Sequence, residues 1–441
     1  MRRWSALAAG LAVAGMSARA AADDVSASGS LGAGVFAGQA ASTAEVGVDA
    51  AGDGYAIGLG AGARWLAEGG FRAEEWDEAS EWARIVRYAL VGWPAGGEPS
   101  GGDAPGDGDG DGEPDAAWVS AAVGELGGVT VGHGSLVDGF AGGLDVDHGR
   151  VGIQASAGRG RVSGELVVDD VIAPRIAGAR LALRSGRRLT LGVSAAGDRT
   201  APSMESGAAG GGGDASDASG EAVAGAALDG EIVGASDGGR ARGALHADLV
   251  HMIGLGAGLH LGARGQLDLG ETVRIGAGGE LRAASDQYLP GWIGPLYERD
   301  RRELRAADGS MSGGQLDAAR AGGLGGLGAA GQLELEARDL VGVAVGYAGR
   351  PGLADLVTAR VAAPHRAGLQ LALWSAAEVE DGAVEAMAVA FELRVRLPGR
   401  WFVRGDVARL YREQEGGAYQ PVWLGQIALG SMLGDAASSR D

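Results

Sequence analysis

The chain has 441 residues, with 57 acidic side chains against 37 basic ones, a formal charge of −20 and no cysteine. That balance excludes a nucleic-acid partner, whose phosphates demand a basic footprint. The missing thiols exclude disulfides, zinc–thiolate sites and cysteine nucleophiles.

Glycine accounts for 85 residues. At that density it weakens helices by about 1 kcal/mol per site against alanine. Without a strict three-residue period it is not collagenous. Within strands it suits thin walls, bends and close backbone approach.

The chain opens Met1-Arg2-Arg3, runs apolar from Trp4 to Met16, and closes a small-residue stretch at Ala22. A basic start, an apolar run too short to span a bilayer and an A-x-A end read as a secretory signal peptide over 1–22. No later apolar stretch reaches the roughly 18 residues of a spanning helix.

From Val25 onward the sequence falls into short segments with weak period-two patterning, the mark of barrel strands. The expected fold is all-β, a single antiparallel transmembrane β-barrel over 23–434 with a tail at 435–441. Counting segments gives about 18 strands, within a range of about 16 to 20, and an even number puts both termini on one side.

Ala67–Ala83 interrupts the pattern and reads as a short acidic helix carrying Glu74, Glu75, Trp76, Asp77, Glu78 and Glu81. The Gly/Asp/Pro-rich stretch over 94–116 is a flexible loop. These two flank one strand, Arg84–Trp93, so they leave it on opposite sides. One of the two is therefore periplasmic or folds into the lumen; the acidic helix is read as a partial plug of the lumen, with a solvated outer loop as the alternative.

Asp107, Asp109, Asp111 and Asp115 open like a calcium loop, but the twelfth position is Trp118 where an EF-hand needs a bidentate Glu. The first reading is a solvated acidic loop, and the alternative is a loose Ca²⁺ site of about millimolar affinity. No other cofactor is implied. His133 and His148 bracket Asp138, Asp145 and Asp147 without helical or hairpin ligand spacing. A second flexible loop covers 203–219.

The later strands show alternation best. Leu261–Leu269 sets Arg264, Gln266 and Asp268 against Ala263, Leu267 and Leu269, and Val273–Arg282 repeats the arrangement with Arg274. Glu334 and Glu336 alternate with Leu333 and Leu335, and Glu392, Arg394 and Arg396 alternate with Leu393 and Val395. With Arg180, these charges (Arg264, Arg274, Arg394, Arg396, Glu392, Glu334, Glu336) are the expected lumen-facing set. Asp286–Gly314 breaks the pattern with Tyr288-Leu289-Pro290-Gly291-Trp292 and then the charged run Glu298–Arg305. Trp65, Tyr88, Trp93, Tyr347, Trp401, Tyr411 and Trp423 fall near segment ends, as girdle residues do.

Trp76 to Tyr88, Leu126 to Val137, Asp170 to Arg180 and Tyr288-Leu289-Pro290-Gly291-Trp292 are similar in content and order to a family of uncharacterised Gram-negative outer-membrane barrel proteins. Phe140–Gly143 departs from that family, which would have a Tyr-Asn pair there, and the Asp-rich stretch after Trp93 reads as an insertion. The resemblance implies a fold and an outer-membrane location, with lipid and the barrel-assembly machinery as partners, and no activity.

The chain lacks G-x-S-x-G and H-E-x-x-H, and no enzyme is expected. The leading expectation is a porin-like passive channel for small polar solutes, partly plugged. The first alternative is a Gly-rich β-protein with a structural or adhesive surface role, and the second a barrel-embedded hydrolase.

Overall fold

The computed structural model describes residues 24–52, 54–72, 76, 82–93, 117–146, 149–186, 188–202, 220–235, 240–304, 314–337, 340–366, 368–380, 382–414 and 419–433. Its wall begins with β1 (Asp24–Phe36), β2 (Gln39–Gly52), β3 (Tyr55–Leu66), β4 (Val86–Trp93), β5 (Trp118–Gly124), β6 (Gly152–Arg159) and β7 (Val162–Val168). It continues through β8 (Ile176–Ser185), β9 (Leu189–Ala201), β10 (Glu221–Ala235), β11 (Ala241–Met252), β12 (Ala257–Leu269) and β13 (Val273–Ala284). After two short helices, α1 (Tyr297–Asp300) and α2 (Gln315–Ala321), come β14 (Gly326–Ala337), β15 (Val341–Ala348), β16 (Asp355–Arg366) and β17 (Leu369–Glu380). The last strands are β18 (Ala383–Arg396), β19 (Trp401–Glu413) and β20 (Tyr419–Leu433).

Each strand pairs antiparallel with its chain neighbours, and β1 pairs with both β2 and β20, from Ala27↔Leu433 to Phe36↔Leu424. The ring is therefore closed, which leaves no edge strand with unpaired backbone groups. A two-residue ribbon, Gly70–Phe71, folds back on β3 outside the ring. The ring holds 20 strands rather than about 18. Strands as short as β5 to β7, seven or eight residues each, carry little period-two signal, so a count from sequence falls low.

Alternation divides the wall into two faces. On β11, Leu245 and Leu249 are 63% and 58% exposed on the outside, while Asp248 between them is 0% exposed on the inside. Leu281, Leu333 and Ile427 likewise face out, giving the band of a wall that meets lipid. Trp65, Tyr347, Trp401 and Trp423 also face out. Tyr88 and Tyr411 do not: Tyr88 donates to Asp49 at 2.8 Å, and Tyr411 is buried. The Trp93 side chain lies outside the described residues. No helix among the described residues is long and apolar enough to cross a membrane.

The start of β1 and the end of β20 sit at one end of the ring, because the strand number is even. The connections at 125–151, 169–175 and 285–325 leave the other end. The two longest turn back inside the barrel. Phe140, Tyr288, Trp292, Ile293, Leu296 and Tyr297 are all at most 2% exposed, and they form an apolar core within the lumen.

Candidate functional site

The segment at 125–151 enters the lumen as a tight double turn. Val129 and Phe140 exchange both backbone hydrogen bonds, at 2.9 and 2.8 Å, and Val131 donates its N–H to Val137 O at 3.1 Å. Gly132 bends the chain between them with φ of +61°, and its N–H donates to Glu165 on β7 at 3.0 Å. A Cβ there would be strained by the positive φ and would stand 2.9 Å from the Arg180 side chain.

The segment at 285–325 enters beside it. Val137 and Ile293 make a parallel bridge, with Asp138 N donating to Ile293 O and Ile293 N to Leu136 O at 3.0 and 2.9 Å. Gln315 of α2 donates to Trp292 O at 2.7 Å. Backbone polar groups that would otherwise be orphaned inside the barrel are thus satisfied between the two segments.

His133, at the tip of the first segment, stands against the wall. Its Nδ1 lies 2.8 Å from Asp248 Oδ1 on β11, and its Nε2 lies 3.1 Å from Glu231 Oε2 on β10. Two carboxylates accepting from both ring nitrogens require both to carry hydrogen. Burial alone would lower its pKa, but hydrogen bonds and charge from Asp248 and Glu231 outweigh burial and raise it to about 9. The His133 ring stacks on His246 at 4.3 Å. Gly262 on β12 makes room, since a Cβ there would meet the His246 ring at 2.2 Å.

A second tie joins wall and both segments. His260 on β12 donates through Nε2 to the Tyr288 oxygen at 2.9 Å, and the Tyr288 hydroxyl donates to Ser135 O at 2.9 Å. Glu280 on β13 lies 2.7 Å from the other His260 nitrogen and also takes Arg282, which reaches Asp138 at 3.5 Å.

The second segment carries its own anchors. Glu298, 1% exposed, accepts from Arg150 and Arg175, both at 2.9 Å, and Asp169 lies beside the same two guanidinium groups. Burial raises the Asp169 pKa to about 7 despite the backbone hydrogen bond from Ile176. Arg301 pairs with Asp198 of β9 at 3.1 Å, and Tyr297 donates to the same carboxylate at 3.0 Å. On the far wall Glu378 of β17 accepts from Arg299 and Arg350, each at 2.8 Å. Such pairs are costly to break singly, about 3–5 kcal/mol, because the remaining charge stays buried.

Five of the expected lumen charges sit within hydrogen-bond reach of a partner or an aromatic ring. Arg180 of β8 reaches Asp229 through Nε and Glu165 through Nη1, both at 3.1 Å. Arg264 donates to Glu231 at 2.9 Å, and Arg274 bridges Asp268 at 3.1 Å and Glu336 at 3.4 Å. Arg394 lies 4.0 Å over the Phe402 ring, with Nη2 3.0 Å from Met432 Sδ. Glu334 leans toward Gly276. Glu392 is in register with Asp406, and Arg396, near the terminal end, is exposed.

Of the acidic segment, Glu74, Glu75, Asp77, Glu78 and Glu81 lie outside the described residues, as do Asp107, Asp109, Asp111 and Asp115. Trp76 is described, and its ring meets that of Trp82 edge-on at 5.3 Å. Trp82 is exposed. The lumen filling among the described residues comes from the two other segments. Among those residues no group of three or more His, Asp or Glu is arranged to hold a metal ion.

The features together define a class: a closed antiparallel barrel, apolar outside and charged inside, narrowed by two inserted loops. No family model matches the chain, and no curated protein matches it. Among solved structures, OccAB3 from Acinetobacter baumannii is 10% identical, with 93% of this chain and 99% of that one covered at a TM-score of 0.34. OccK2 (OpdF) from Pseudomonas aeruginosa, in complex with glucuronate, is 11% identical over 93% and 98% at 0.36. A BenF-like porin from Pseudomonas fluorescens Pf-5 is 12% identical over 94% and 99% at 0.34. The strand order above stands on this chain's own pairing, not on that likeness.

Proposed function

We propose that the chain is exported and inserted in the outer membrane as a porin-like passive channel for small polar solutes. The segments at 125–151 and 285–325 would narrow it. The observation that carries this reading is a set of inward charges left half open inside a closed ring. The side chains of Arg264 and Glu336 are 52% and 49% exposed, and those of Glu165 and Glu45 are each 34% exposed. Ions at that exposure within a wall closed on all sides need water around them, and a lumen holding water is a path for solutes.

The outer face supports the membrane half of the reading, since contiguous Leu, Ile and Val would be costly to leave in water. An export signal over 1–22, outside the described residues, would deliver the chain to the barrel-assembly machinery. The paired inner charges would favour polar solutes over apolar ones. A channel needs no nucleophile or cofactor, and we read the chain as a non-enzyme.

Membrane fractionation with heat-modifiable gel migration, followed by liposome swelling in sugars of increasing size, tests this. Detergent-dependent recovery and size-limited swelling are expected. Recovery as a water-soluble monomer would overturn the membrane reading, and liposomes that never swell would overturn the channel.

A further inference from the structure

The inner wall beside the tip of the first inserted loop is built mainly from neutral polar groups. Inward positions of β5, β6 and β7 fall in two adjacent rows, Trp118↔Gly158↔Ser163 and Ser120↔Ser156↔Glu165. Gln154 stands one row nearer the inserted loops. Three strands span roughly 10 Å, and successive inward positions on one strand are roughly 7 Å apart. The Trp118 indole reaches across Gly158, where a Cβ would meet its Nε1, Cε2 and Cζ2 at 2.5, 2.7 and 2.9 Å. Trp118, Ser120, Ser156 and Ser163 are half-buried, and Gln154 is exposed to the lumen. Among the described residues none of these five side chains is held by a hydrogen bond.

Glu165 closes the patch on one side. Its carboxylate accepts from Arg180 at 3.1 Å and from the Gly132 N–H of the loop tip at 3.0 Å, and its side chain is still 34% exposed. Arg180 also pairs with Asp229, so the three ionised groups leave one negative charge at this edge. That charge disfavours an acidic solute. A hydroxyl group, by contrast, finds lone pairs on Glu165 that are not yet used.

We infer that Trp118, Ser120, Gln154, Ser156, Ser163 and Glu165 form a binding face for a neutral sugar of the pyranose class. One side of a pyranose presents C–H groups, which suit the negative face of an indole. Its rim of hydroxyls donates and accepts, as do the serine hydroxyls and the Gln154 amide. An apolar platform with a few convergent polar groups fixes the orientation of a small ligand. The face deepens the channel reading by naming a solute class, and rests on it only for how the sugar arrives. Affinity would be weak, as conduction requires a solute to leave as well as enter.

Saturation-transfer NMR on the full-length protein, in a polyoxyethylene detergent without a sugar headgroup, tests the face without asking it to conduct. The probes are methyl β-glucopyranoside, the matching glucuronide and glycerol. The glucoside should bind more tightly than the glucuronide, and about tenfold more tightly than glycerol, the scale of one ring contact. Trp118→Leu should remove the preference over glycerol. Ser156→Ala should weaken the glucoside about fivefold, the scale of one neutral hydrogen bond. Heat-modifiable migration of both variants would show that the barrel still forms. Equal binding of glucoside and glycerol, tighter binding of the glucuronide, or a preference unchanged in Trp118→Leu would overturn the face. Swelling assays on the same samples report on the channel separately, so a barrel that binds the glucoside without passing it would sink the channel and keep the face.

Discussion

His133 and Asp248 are 115 residues apart in the chain, and inside the barrel Nδ1 of one stands 2.8 Å from Oδ1 of the other. This contact, with that to Glu231, pins the tip of an inserted loop to the wall. The His133 pKa is raised to about 9, above the ordinary histidine value of 6.5. Its contribution is therefore complete below the ordinary value and is lost as pH rises through about 9. Unitary conductance should stay level through neutral pH and climb toward about pH 10 as the loop loosens. In His133→Gln the climb should vanish and the conductance should be high throughout. A flat profile in the native protein would exclude the latch.

Glu298 joins the second loop to Arg150 and Arg175. Glu298→Gln leaves those two guanidinium groups with Asp169 alone and should destabilise the docked loop by about 3–5 kcal/mol. Hydrogen exchange over 285–304 should quicken while exchange in the wall strands β11 to β13 stays slow. Unchanged protection of the loop would mean that the apolar core around Trp292 holds it without the ion pairs.

The two faces of the wall should differ in what they tolerate. Leu245, 63% exposed on the outside and mid-strand in β11, should cost about 2–4 kcal/mol as Leu245→Arg. Arg264→Leu changes the inner face, and Glu231 keeps His133 as a partner. Its cost should be smaller and its effect should fall on ion selectivity. Denaturant titration of both variants in detergent checks the order, and a reversed order would mean that inside and outside are exchanged.

The wall was legible in the sequence because alternation is local. Leu261, Leu267, Leu333 and Leu335 mark the outer face within a few residues of Arg264 and Glu334. The filling of the lumen was not legible, because its contacts are long-range. Nothing near His133 shows that Asp248 and Glu231 wait for it, and Glu298 lies 148 residues from Arg150. A charged run such as Glu298–Arg305 looks in sequence like a solvated surface. Glu298, Arg299 and Arg301 of that run are instead buried against Arg175, Glu378 and Asp198, where they act as anchors. The one local clue was compositional: Tyr288-Leu289-Pro290-Gly291-Trp292 is too apolar for an exposed loop, and four of its residues, Tyr288, Leu289, Pro290 and Trp292, are buried.

The most direct test of a water-filled barrel narrowed by its own loops is single-channel recording in a planar bilayer. The native protein is compared with a variant whose residues 127–149 are replaced by a short Gly/Ser linker. Small, discrete steps are expected from the native protein, and clearly larger ones from the variant. Equal conductance, in two proteins that both migrate as assembled barrels, would contradict the reading.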